Sequence, residues 1–181
     1  RVELQCASDV EPEAISWLWP GWLAAGKLHI LAGPAGTGKT TIAIALAATI
    51  TSGGRWPDGS RAVQADVAIW SGEDGIADTL APRLHANGAN TGRVRFVRSV
   101  ADGDERRPFD PADDMPLLAL ALARLPHPPA LLIVDPIVSA VAGDSHKNTE
   151  TRRALQPLVD LGRQLGCAIL GISHFSKGTS G

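Results

Sequence analysis

Two kinds of apolar pattern alternate along this chain. Short apolar runs closed by turn residues read as buried strands: Lys27 to Ala32, Asp66 to Trp70, Val94 to Val97, Ala130 to Asp135 and Ala168 to Ser173. Longer stretches with helical spacing lie between them. From Lys39 to Ile50 the chain is apolar nearly all round (Ile42, Ile44, Leu46, Ala47, Ile50), as a helix buried against a sheet should be, and Ser52-Gly53-Gly54 ends it. Ile76, Leu80 and Leu84 recur at i, i+4 and i+8 on a second helix that stops near Asn87-Gly88. Pro116 to Leu125 predicts a third, with Asp113 or Asp114 as its cap and Pro116 in its first turn. Leu155, Leu158, Val159 and Leu165 share one face of a fourth, which Pro157 is expected to bend. The charged, proline-containing stretch 101–112 predicts a solvated loop. Strands alternating with helices imply an α/β fold, a mostly parallel sheet with helices on both faces.

Residues 1–26 carry no regular period, but Trp17, Trp19 and Trp22 cluster around Pro20-Gly21. That segment is expected to pack on the core or against a neighbouring subunit, leaving 27–181 as the core domain. A length of 181 residues suits one such domain. Its first residue is Arg with no signal-peptide pattern after it, so the chain is expected to be a piece of something longer, truncated before its last strands. The longest apolar run, Leu117 to Leu125, is closed by Pro116 and Pro126 and is too short to cross a bilayer, so no membrane partner is expected. Cys6 and Cys167 are too few for a zinc or disulfide framework and read as plain thiols of a cytoplasmic protein. A net charge of −2 argues against a basic coat for nucleic acid, while leaving open contact through a few residues.

The candidate chemistry starts at Gly33-Pro34-Ala35-Gly36-Thr37-Gly38-Lys39-Thr40, which matches G-x-x-x-x-G-K-[ST] between a strand and a helix. Glycines at 33, 36 and 38 let the backbone curl and bring its N–H groups to phosphate oxygens, beside the positive end of the following helix. Pro34 offers no N–H, so the donors come from Gly36 onward. Lys39 would reach the β- and γ-phosphates, Thr40 would ligate Mg²⁺, and Thr41 completes the nucleotide-binding set. The plain alternative is a Gly-rich turn that matches by accident, and the strand before it and the helix after it count against that.

Ligands of an open parallel sheet sit at the carboxyl ends of its strands. Asp135 ends one apolar run, where a carboxylate can hold Mg²⁺; the plain alternative is a turn residue before Pro136. Glu73 follows another and is placed to polarise the attacking water, or else to cap the next helix, a task Asp74 can also fill. His174 ends the fifth strand and either senses the γ-phosphate or simply leaves the strand as a polar residue.

Together the phosphate loop, Trp70-Ser71-Gly72-Glu73-Asp74, Arg83-Leu84-His85-Ala86, Leu131 to Asp135 and Ser173-His174-Phe175-Ser176-Lys177 resemble the RecA-like ATPases. The closest likeness is to plasmid- and phage-type replicative helicases of the RepA kind. Asn148 to Leu155 is similar too. This resemblance implies a MgATP-hydrolysing core of the P-loop NTPase class, whose relatives form hexameric rings and move on single-stranded DNA. It implies Glu73 as catalytic glutamate, Asp135 as metal-associated aspartate, His174 as coupling residue and Arg83 as a neighbour of the base, although Arg83 also fits a solvent-facing charge. Lys177, and Lys147 in the loop 143–148 with His146, are the candidate DNA contacts; a solvated connector is the alternative for that loop. Relatives add an arginine finger on a strand beyond the fifth, for which this sequence offers no residue. A recombination mediator or signalling ATPase is the competing function. A P-loop kinase fits less well, since Arg106-Arg107 and Arg152-Arg153 read as surface rather than as a lid.

Overall fold

A computed structural model describes residues 1–140 and 155–174. Lys147, Lys177, the loop 143–148 and the helix entry 148–154 therefore lie outside the described residues, apart from Leu155. The strands are β1 (Trp17–Trp19), β2 (Leu23–Ala24), β3 (Leu28–Gly33), β4 (Val67–Ser71), β5 (Val94–Phe96), β6 (Ser99–Asp102), β7 (Glu105–Pro108), β8 (Leu131–Asp135) and β9 (Ala168–His174). The α-helices are α1 (Lys39–Ser52), α2 (Ala81–Ala86), α3 (Met115–Ala123) and α4 (Gln156–Leu165).

Five strands form one wholly parallel sheet in the order β3-β9-β8-β4-β5. Because side chains alternate across a strand, each buried strand feeds two cores. Val67 and Ile69, Leu131 and Ile133, and Leu170 and Ile172 join Ala43, Ile44, Ala47 and Ile50 of α1 and Leu84 of α2 on one face. Ala68, Trp70, Leu132, Val134 and Ile169 pack with Leu118 and Leu122 of α3 and Leu158 and Leu161 of α4 on the other. Helices thus cover both faces, as the strand–helix alternation predicts, in an architecture consistent with a RecA-like P-loop NTPase.

Three local expectations are corrected. The stretch read as a solvated loop at 101–112 carries most of an antiparallel hairpin, β6 with β7, turned at Gly103. Its second strand, Glu-Arg-Arg-Pro, is exposed throughout, so no apolar alternation announced it. Asp114 occupies the cap position of α3 but makes no side-chain cap bond. Its carboxylate instead takes two 2.6 Å bonds from the Arg107 guanidinium and one from the Asp110 N–H, tying the hairpin to the helix start. Arg107 accordingly holds the Asp114 carboxyl below the ordinary aspartate range. Pro157 lies in the first turn of α4, where its missing N–H costs no bond, so it starts the helix rather than bending it. The second helix does stop at Asn87, but it opens with a wide π-type turn over Ile76–Leu80.

Within the first 26 residues, side chains 1–17 are exposed and Trp19, Leu23 and Ala24 are buried. Trp19 stacks on Trp56 at 4.8 Å and on Trp22 at 5.3 Å, while its Nε1–H donates to Asp58 at 2.9 Å. His29 pins this corner to the sheet. Its Nε2 accepts the Ala24 N–H at 3.0 Å, which leaves Nδ1–H to donate to the Ile169 carbonyl at 3.3 Å. Trp19→Ala is expected to cost about 3–5 kcal/mol in urea unfolding, as other large-to-small core changes do. Trp22→Ala, on a side chain 67% exposed, should stay within about 1 kcal/mol. Equal losses would show that the tryptophan stack does not stabilise the corner in this way.

Candidate functional site

The turn after β3 has the backbone the motif requires. Gly36 and Gly38 take φ of 76° and 84°, values that a side chain disfavours, and Gly38 leads directly into α1. Lys39 is buried, 5% exposed, and bends back over its own loop. Its Nζ donates to the Gly33 carbonyl at 3.0 Å and the Pro34 carbonyl at 2.7 Å, and Thr37 Oγ1 donates to that same Pro34 oxygen at 2.9 Å. Two backbone carbonyls thus take the place of phosphate oxygens around the ammonium. Pro34, Ala35, Gly36, Thr37 and Gly38 stand exposed around it, with Thr41 exposed on the first turn of α1.

The strand order sets the other groups beside this loop. β9 lies between β3 and β8, with His174 in register with Gly33. β4 lies beyond β8, with Ser71 opposite Asp135, and the Gly72 N–H donates to the Asp135 carbonyl at 2.8 Å. Thr40 Oγ1 donates to Asp135 Oδ2 at 2.7 Å. Asp135 is 2% exposed, and its Oδ1 has no hydrogen-bond partner among the described residues. Burial pushes the Asp135 carboxyl above the ordinary aspartate range; the Glu73 and Asp74 charges push the same way, while the Thr40 bond and His174 oppose. An orphaned buried oxygen beside a threonine hydroxyl is a donor set that fits Mg²⁺.

Glu73 is half-exposed, and its Oε2 lies 3.3 Å from His174 Nε2, a close approach that is not aligned as a hydrogen bond. The structure therefore brings together Lys39, Thr40, Glu73, Asp135 and His174. Arg83 stands slightly apart, paired loosely with Asp74 at 3.8 Å, both partly exposed. Sequence reading overlooked Ser71. Its Oγ accepts the N–H groups of Glu73 (3.4 Å) and Asp74 (3.0 Å), so Ser71, rather than either acid, ties the turn. A serine two residues before an acidic pair at a strand end is a recognisable turn signal.

A family model described as an AAA domain matches residues 3–180. This chain belongs to that AAA domain family. Membership makes it a P-loop ATPase-type domain, in agreement with the loop, the sheet order and the strand-end carboxylates. Among curated proteins, ATPase BagA of Mycobacterium tuberculosis is 54% identical over 37 residues, covering 20% of this chain and 11% of that protein. The Mycobacterium bovis ATPase Mb3704 matches to the same extent, 54% over 37 residues. The chain thus spans about a tenth of the length of these relatives, 11% in each case. No helix among the described residues of the AAA domain is long and apolar enough to cross a membrane.

The raised Asp135 carboxyl gives the domain a testable liability. A folded-state value above the unfolded one means that ionisation of Asp135 costs stability, fully above the raised value and less as pH falls through it. Asp135→Asn keeps an oxygen for Thr40 and removes the buried charge. It should raise the Tm of the nucleotide-free domain near pH 7, by about 2–4 °C for each kcal/mol recovered. The gap from wild type should close towards acid pH. The same variant should lose stabilisation by MgATP, and differential scanning fluorimetry across pH reads both effects.

Proposed function

We propose that this AAA domain binds MgATP on the 33–40 loop and hydrolyses it, and that in the intact protein it drives a hexameric, ring-forming replicative helicase along single-stranded DNA. The observation that carries the ATPase reading is the row of adjacent strand ends: Gly33 with Lys39, then His174, Asp135 and, one strand further, Glu73. Lys39 exchanges its two loop carbonyls for phosphate oxygens, and loop amides from Gly36 onward hold the rest of the chain of phosphates. Thr40 and Asp135 would hold Mg²⁺, which neutralises charge on the phosphoryl oxygens. Glu73 orients a water and takes its proton; the water oxygen bonds to the γ-phosphorus as the bond to the β,γ-bridging oxygen breaks, giving ADP and phosphate. His174 stands beside Glu73 at 3.3 Å, placed to leave that carboxylate for a γ-phosphate and to return once it departs.

The helicase part rests on the resemblance in sequence. His174 is followed within a few residues by Lys177, so a change at the γ-phosphate position has a short path to a candidate DNA contact. The experiment is steady-state phosphate release by the intact parent protein, with and without single-stranded DNA, followed by strand displacement. Stimulation by several-fold together with displacement is expected. Hydrolysis indifferent to DNA would transfer the domain to the signalling or partner-remodelling ATPases, and stimulation without displacement to the recombination mediators.

A further inference from the structure

We infer that, with no nucleotide bound, Glu73, Asp135 and His174 chelate a borderline divalent cation of the zinc class, an inhibitory ligand set different from the Thr40–Asp135 pair that suits Mg²⁺. Each of the three offers one ligand atom, and these atoms lie within 4.8 Å of one another. Two further observations point to a cation. Asp135 is 2% exposed with Oδ1 unpartnered, and neither buried ring nitrogen of His174 has a hydrogen-bond partner among the described residues. Buried polar atoms are ordinarily paired, so an unpaired Asp135 Oδ1 beside an imidazole that can turn one of its unpaired nitrogens to the same ion marks a place where a further group belongs.

The spacing fits the size of such an ion. Metal–ligand bonds of about 2.0–2.1 Å in a tetrahedral shell place neighbouring ligand atoms about 3.3–3.4 Å apart. His174 Nε2 and Glu73 Oε2 already stand 3.3 Å apart. The other separations are within 4.8 Å, and Glu73, whose side chain is 54% exposed, has room to adjust to an ion held by the other two. Asp135 keeps Oδ2 on Thr40 and presents Oδ1, while parallel pairing of β4, β8 and β9 fixes the three strand ends relative to one another. An imidazole with two carboxylates favours Zn²⁺ or Co²⁺ over Mg²⁺, which prefers an all-oxygen shell. A cation held there occupies the proposed water-activating carboxylate and the histidine together, so it excludes both from hydrolysis.

The inference goes beyond the ATPase reading, because metal binding is measured without nucleotide. The test titrates Co²⁺ into the nucleotide-free chain by visible absorption and Zn²⁺ by calorimetry, on wild type, Glu73→Gln, His174→Ala, His174→Asn and His127→Ala, each checked for folding by circular dichroism. Expected is one equivalent with a nitrogen–oxygen cobalt spectrum, about tenfold or more weaker in the Glu73 and His174 variants and retained in His127→Ala, an exposed histidine ahead of β8. Binding untouched by both His174 variants would mean an adventitious ion only, on other histidines or thiols, and would overturn the assignment. Loss of binding in folded His127→Ala would overturn it too, by placing the cation at the opposite end of the sheet. An intact parent protein that binds Zn²⁺ as expected yet never turns over ATP would refute the proposed function and leave this site standing.

Discussion

Lys39→Ala is expected to weaken MgATP binding by about 10²–10³-fold, the largest expected effect on nucleotide affinity of any single change in this domain. The lysine is the one ammonium at the loop among the described residues, and two charge-assisted bonds of about 1.5–3 kcal/mol each, partly offset by those it gives up, correspond to that range. The variant also removes the donor that now serves the Gly33 carbonyl, while the Pro34 carbonyl keeps Thr37. Some loss of stability should therefore accompany the loss of affinity. Calorimetric titration with ATP and Mg²⁺, paired with a urea melt, separates the two. Affinity within threefold of wild type, in a folded variant, would remove the loop from the binding site.

Glu73→Gln separates binding from chemistry. Among the described residues no hydrogen bond or ion pair joins the Glu73 carboxylate to the phosphate loop, and its Oε2 lies 3.3 Å from His174 Nε2. Replacing the carboxylate by an amide keeps its shape and removes its basicity. Turnover should fall by about 10²–10⁴, the range ordinarily supplied by a positioned general base, with nucleotide affinity changed only a few-fold. Phosphate release under saturating ATP measures the first and calorimetry the second. Wild-type turnover would move the role of base elsewhere, and Asp74, held by Ser71 on the same turn, would be the next carboxylate to replace.

The parts of this site that could be read from the sequence are those where chemistry and local pattern coincide. Gly33 to Thr40 names its own turn, and Asp135 closes a run, Leu131 to Val134, buried on both sides. Strand order was less legible. That β9 separates β3 from β8, and so sets His174 between the loop and Asp135, is a tertiary fact that no periodicity carries. The β6–β7 hairpin escaped for a different reason. It is held by backbone pairing and by the Arg107–Asp114 clamp rather than by an apolar face. Asp114 shows the right region and another partner: a helix-capping motif and a buried carboxylate paired with an exposed arginine ask for the same residue type. Lys39 likewise declared its identity but not its resting bonds to its own loop.

Those resting bonds have a consequence for which nucleotides the domain accepts. The ammonium has two oxygen partners before any ligand arrives, so binding is an exchange and not a simple gain. A ligand whose phosphates stop short of Nζ leaves the lysine where it is and meets a closed loop. One long enough to replace both carbonyls recovers the full charge-assisted interaction. If ATP binds as proposed, AMP and ATP should be sorted by reach, through competition with the protein's own backbone, and calorimetric titration with each nucleotide checks it.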